Sequence, residues 1–144
     1  MQQALDILSD ILKRSNYSVT KPRRLVFELL EDQEPLSMHE LYVRAQGKLD
    51  RVSLYRTIRL FEEVGIVQRV YIGWKYKVEL TDIFMHHHHH ISCLSCHKLI
   101  AIHEDAEIEK LISSLAKKHG IVATSHQLEV QGYCPACQKS MNIS

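Results

Sequence analysis

Two Cys-x-x-Cys pairs, Cys93 with Cys96 and Cys134 with Cys137, lie with 37 residues between them and are the feature that most constrains what this chain can become. A two-residue gap lets both sulfurs of a pair turn toward one ion, so four thiolates in this arrangement satisfy tetrahedral zinc and staple distant stretches of chain together. Buried free thiols would have no reason to fall twice into ligand spacing. A redox dithiol would call for a βαβ pattern around either pair, and none is present. Zinc held this way supplies on the order of 10 kcal/mol toward folding, enough to rescue a domain too small to stand on its own hydrocarbon. The expectation is a structural Zn(II) at the four cysteines.

The metal chemistry is confined to one end. Residues 81–144 hold every cysteine and nine of the ten histidines, while residues 1–80 carry 13 Lys+Arg against 11 Asp+Glu. This shift in composition marks a boundary near Leu80–Met85, giving two domains, 1–82 and 83–144. The net charge of +1 announces no bulk polyanion partner, so any basic surface must be local. Asp6 and Asp10 interrupt the apolar pattern of Met1–Leu12, which does not read as a signal peptide, and no apolar run reaches membrane-spanning length. The expectation is a cytoplasmic protein with no membrane partner.

In the first domain Leu5, Leu8, Ile11 and Leu12 recur at helical spacing, and a second helix fits Arg23–Glu31 behind Pro22. Ser37 followed by Glu40 is a capping box opening a third helix through about Leu49, with Leu41, Tyr42 and Ala45 toward a core. A fourth helix, Val52–Val64, ends at Gly65. The β-prone runs Val67–Val70 and Tyr76–Leu80 flank Ile72-Gly73-Trp74 as a hairpin. Helices followed by a hairpin describe a winged helix. The second domain reads as α+β: a strand near Leu99–Ile102, a helix over Asp105–His119 with a stripe of Ile108, Leu111, Ile112 and Leu115, and a long strand over Val122–Tyr133. Its size predicts dependence on metal and on a partner subunit.

The run His86–His90 is internal and abuts a ligand pair. In an extended strand His86, His88 and His90 face one side while His87 and His89 face the other, so one strand can feed two metal sites. Glu79, Asp82, Glu109 and His126 are the nearby candidates to complete them, and such donors suit zinc, ferrous iron, manganese or nickel. The fourth helix and its lead carry Arg51, Ser53, Tyr55, Arg56 and Arg59 opposite Leu54, Ile58 and Phe61. That face suits a groove reader, with arginine for phosphate or guanine and an aromatic edge for a thymine methyl. Lys21, Arg23 and Arg24 at the second helix, with Lys75 and Lys77 in the wing, flank it.

Several of these residues, in order, resemble the Fur family of metal-dependent transcriptional regulators. They are Val19-Thr20-x-Pro22-Arg23, Leu41-Tyr42, Ser53-Leu54-Tyr55-Arg56, Glu63-Val64-Gly65-Ile66-Val67, the histidine run with Cys93-x-x-Cys96, Lys118-His119-Gly120, His126, and Cys134-x-x-Cys137. The resemblance covers about residues 17–138. It implies a repressor of metal-uptake or metal-homeostasis genes, not an enzyme, that binds double-stranded operator DNA as a metal-loaded homodimer. The implied fold is an N-terminal winged helix-turn-helix DNA-binding domain with a small C-terminal α/β dimerisation domain, with Tyr55 and Arg56 as recognition contacts. It further implies a regulatory site at His87, His89, Glu109 and His126, where histidine at 89 looks more like zinc-sensing members than iron-type ones. A hinge site would use His88 and His90 with Glu79 or Asp82. The N-terminal-domain histidine that many members contribute there aligns with Pro35, leaving Glu34 or His39 as substitutes. Ala101 stands where peroxide-sensing members place aspartate, which argues against a peroxide sensor. The alternative outside the family is a zinc hydrolase using the histidine cluster, although no His-Glu-x-x-His motif is present.

Overall fold

The computed structural model describes residues 2–31 and 33–143, which divide into two compact units. Of these, the first comprises residues 2–31, 33–70 and 75–86, and the second 71–74 and 87–143.

The first unit begins with four helices: α1 (Gln2–Arg14), α2 (Lys21–Leu30), α3 (Met38–Arg44) and α4 (Arg51–Glu63). Each of the last three starts at a residue able to satisfy exposed helix N–H groups. Thr20 caps α2 with Pro22 in its first turn, and Asp50 caps α4 by accepting from Ser53 N–H at 2.9 Å. At α3 both bonds of the capping box form: Glu40 N–H donates to Ser37 Oγ (3.1 Å) and Ser37 N–H donates to the Glu40 carboxylate (2.7 Å). This helix stops at Arg44, short of the expected Leu49, because Gln46 and Gly47 take positive φ and turn the chain away. The apolar positions of the helices meet in one core in which Leu8, Leu12, Val26, Phe27, Leu41, Leu54 and Phe61 are fully buried. Strands β1 (Val67–Ile72) and β2 (Lys75–Leu80) form the hairpin, and Leu36 pairs with Val78 of β2 through reciprocal backbone bonds.

The second unit contains β3 (His88–Cys93), β4 (Leu99–His103), α5 (Ala106–Lys118), β5 (Glu129–Gly132) and α6 (Pro135–Met141). Its sheet runs β4-β3-β5, with β4 antiparallel to β3 and β5 parallel to it. The expected strand over Val122–Tyr133 contracts to four residues, those that find partners on β3 from His90 to Cys93. Helix α6 was hidden by Pro135, which reads as a breaker yet occupies the first turn, where its missing N–H costs no bond. Among the described residues no helix is long and apolar enough to cross a membrane.

Candidate metal centres and nucleic-acid interface

The cysteines come together from two turns. Cys93 ends β3, and the chain folds back so that Cys93 N–H bonds Lys98 O and His97 N–H bonds Cys93 O. Cys134 is the N-cap of α6, and Cys137 follows within its first turn. All four sulfurs lie within 4.8 Å of one another, none in a disulfide, and Cys96 Sγ is 3.8 Å from Cys134 Sγ. Tetrahedral zinc with sulfur bonds of about 2.3 Å demands a sulfur–sulfur edge of about 3.8 Å. The electrostatics point the same way. Backbone N–H groups of Cys134 and then Cys96 aimed at the Cys93 sulfur lower its pKa to about 6. The Cys137 N–H, and then its side chain, hold Cys134 below the ordinary thiol value. At Cys137 the Ser95 hydroxyl acts to lower the pKa, but Cys134, burial, Cys93 and Cys96 together outweigh it and leave it at about 11. Two sulfurs drawn toward thiolate beside a third held back by its neighbours make a donor set that a cation would complete.

A second set forms where β3 faces α5. His87, His89, Glu109 and His126 bring their ligand atoms within 4.8 Å of one another. His89 Nε2 is 2.9 Å from Glu109 Oε1, His126 Nε2 is 3.2 Å and His87 Nε2 is 3.4 Å from that same oxygen, while His87 Nε2 and His126 Nε2 stand 3.0 Å apart. Edges near 3.3 Å are what tetrahedral zinc with imidazole bonds of about 2.0 Å requires. Each member has a clear structural origin. His89 lies on β3 and His87 just before its first residue, Asp105 caps α5 and so fixes the turn bearing Glu109, and His126 rides the irregular segment before β5. His89 is 1% exposed, and its Nδ1 has no hydrogen-bond partner. Burial pushes the Glu109 carboxyl up, but the His89 hydrogen bond and the charges of His126 and His87 more than offset this, and the pKa ends below its ordinary value.

The other alternate histidines, His88 and His90, meet edge to face with ring centres 4.7 Å apart, and His90 is buried. Of the expected hinge carboxylates, Glu79 is buried at the end of β2 and accepts from Gln68 at 2.8 Å, whereas Asp82 is exposed just beyond it. Pro35 is buried, and Glu34 and His39 are exposed.

The expected DNA-facing residues distribute along α4 and α2. Tyr55, Arg56 and Arg59 are exposed on α4 while Leu54, Thr57, Ile58 and Phe61 bury its other side. Arg51 lies over the Tyr42 ring at 4.4 Å. Ser53 is committed to the helix start, its hydroxyl donating to Asp50 at 2.7 Å, which lowers the Asp50 pKa. Lys21 is exposed, but Arg23 is half-buried, donating to Ser18 O and lying 5.3 Å over Tyr17, so it also orders the entry to α2. The role of Asp50 was overlooked in the sequence, although the Asp50-x-x-Ser53 spacing before an apolar run is a legible cap signal.

The chain matches the model of the ferric uptake regulator family over residues 14–131. It is 37% identical over 129 residues to the ferric uptake regulation protein of Escherichia coli strain K12, covering 85% of each chain. In structure it is similar to the Helicobacter pylori ferric uptake regulator, described as having three functional metal-binding sites. That likeness has a TM-score of 0.77 at 25% identity, over 95% of this chain and 93% of the other. It is also similar to the Vibrio cholerae ferric uptake regulator, with a TM-score of 0.70 at 31% identity, over 88% of this chain and 98% of the other. Related structures carry zinc, iron or manganese. These relatives are transcriptional regulators, which removes the hydrolase alternative. The chain belongs to the ferric uptake regulator family, as a metal-responsive DNA-binding transcriptional regulator with an N-terminal winged helix and a C-terminal dimerisation domain.

Proposed function

We propose that this regulator acts in the cytoplasm as a homodimeric repressor of metal-uptake or metal-homeostasis genes. In this reading residues 1–82 bind operator DNA, and residues 83–144 bind metal and dimerise. Cys93, Cys96, Cys134 and Cys137 hold a structural zinc. His87, His89, Glu109 and His126 hold the regulatory divalent ion, Zn(II) or Fe(II) first and Mn(II) or Ni(II) next. A second regulatory ion would draw on His88 and His90 with Glu79 or Asp82. The observation that carries the reading is the convergence of three imidazoles and one carboxylate at separations of 2.9–3.4 Å, a donor set for a divalent ion.

Bound metal supplies a cross-link among elements that otherwise repel or wander. The chain's own residues do the rest. Glu109 brings α5 to β3, His126 brings in the segment before β5, and Tyr55 and Arg56 on α4 read the major groove while Arg51, Arg59, Lys21 and Arg23 meet phosphate. Metal raises DNA affinity only by binding the competent arrangement more tightly, with couplings of about 1 to 3 kcal/mol, and DNA must tighten metal binding by the same factor.

The test uses full-length protein retaining only its cysteine-bound zinc, titrated with zinc, ferrous iron, manganese and nickel against a duplex enriched from a random-sequence pool. Affinity should rise about 5- to 150-fold with the cognate ion, and equal binding with and without added metal would end the regulatory reading. Arg56→Ala should cost about 1 to 3 kcal/mol of DNA binding with folding intact.

A further inference from the structure

The β1–β2 hairpin is tied to α4 by a contact that the DNA reading leaves unused. Arg69 on β1 presents its guanidinium edge-on to Glu62 near the end of α4, with Nε on Oε1 and Nη2 3.0 Å from Oε2. The carbon of the same guanidinium lies over the Tyr76 ring of β2, 4.2 Å from its centre. A fork on a carboxylate, stacked on an aromatic, holds both partners in one orientation, which a point-charge ammonium would not do. The opposite side of the hairpin is fastened separately, by the Leu36–Val78 pairing and by Lys77 Nζ 3.5 Å from Glu40. These ties leave an open cleft of about 640 Å³ with Tyr55, Arg56 and Arg59 of α4 along one wall and Arg69 and Tyr76 of the hairpin along the other.

We propose that Arg69 is a positioning residue for DNA binding: by locking the hairpin to Glu62 it fixes the width of the cleft in which one DNA strand lies beside the reading helix. The proposal rests on α4 being that helix. A helix seated in a major groove leaves a phosphodiester strand passing along its flank, and a hairpin held at constant distance meets that strand without a search. Because Glu62 balances the Arg69 charge, the residue acts through Tyr76 and the hairpin backbone and not as a phosphate ligand.

The experiment compares metal-loaded full-length variants on the duplex enriched by the wild-type protein. Arg69→Gln and Glu62→Gln should each weaken binding about tenfold, and the exchanged pair, Glu62→Arg with Arg69→Glu, should return to within about threefold of wild type, the coupling of residues that act as a unit. Glu62→Gln is isosteric and keeps the fold testable if the charged exchange fails to accumulate. The slope of log affinity against log salt should stay unchanged in Arg69→Gln. A slope smaller by about one would make Arg69 a phosphate contact and overturn the proposal, because each phosphate neutralised contributes about that much. Undiminished binding by Glu62→Gln would overturn it too. Arg56→Ala separates the two readings: if it binds as wild type does, α4 is not the reader, whereas loss there with no effect at Glu62 or Arg69 defeats only the positioning role.

Discussion

The two units of this chain are held by different chemistry. In the first, hydrocarbon suffices: helices α1, α2 and α4 each bury leucine, valine, isoleucine or phenylalanine, and Phe27, Phe61, Leu54 and Leu41 are wholly removed from water. In the second, Ile72 and Cys93 are the only buried apolar residues among those described, and neither α5 nor α6 has a buried residue. What is buried instead is polar: His89, His90 and Ser92. A unit whose interior is made of metal donors and whose apolar side chains face outward would, on the proposed reading, take its stability from ions and from another surface. The first unit is built to keep its shape and the second to depend on what binds it.

The sharpest way to break this contrast is Cys93→Ala. Loss of a thiolate from a structural zinc forfeits much of roughly 10 kcal/mol. Hydrogen exchange should show β3, β4 and α5 unprotected while α2 and α4 keep their protection, with zinc content falling together with the second unit. Uniform loss in both units would mean that they fold as one.

Next in size is the outward apolar stripe of α5, where Leu111 and Leu115 are 61% and 51% exposed. If a second copy covers it, Leu115→Lys counts twice in a symmetric interface, at about 1.5 to 3 kcal/mol for each buried leucine. Sedimentation at micromolar concentration should find a monomer that retains the zinc proposed at its cysteines. A variant that stays dimeric would place the interface elsewhere. The complementary change in the first unit is Phe61→Ala, which opens a cavity in a core without metal and should cost about 3 to 5 kcal/mol. Zinc content and dimerisation should be unaffected, and denaturant unfolding of the helices should shift alone.

The same division governed what could be read from the residues. Helical spacing or end signals announced α1, α2, α3, α4 and α5, because the apolar stripe or the cap of each lies in adjacent residues. The convergence of donors was legible in part. Two Cys-x-x-Cys pairs and strand alternation of His87 with His89 are local patterns, whereas the meeting of His126 with Glu109 depends on how the irregular stretch 121–128 is routed. Strand β5 was overextended because a β-prone run states what it can pair and not how much partner is available. Arg69 and Glu62 carried no signal, since a charge pair seven residues apart joins a helix to a strand only after both have folded.

The smallest effect tests whether charge matters at all in the hydrocarbon-held unit. Partial burial pushes the Glu40 carboxyl up, but the Ser37 N–H and hydroxyl and the nearby Lys77 more than compensate, leaving its pKa below the ordinary 4.5. A carboxylate with a depressed folded pKa adds stability that is complete above its unfolded value and fades as pH falls through the folded one. Glu40→Gln should therefore make α3 easier to open by about 0.5 kcal/mol at neutral pH, the usual worth of an acidic group in a first helical turn. The deficit should begin to shrink as pH falls below 4.5 and vanish only below the depressed folded pKa, where the wild-type carboxylate is neutral too. Amide exchange in α3 reads this without interference from zinc loss in the other unit. A deficit that persists undiminished in acid would assign the effect to the geometry of the capping hydrogen bond, and the first unit would then owe nothing measurable to this charge.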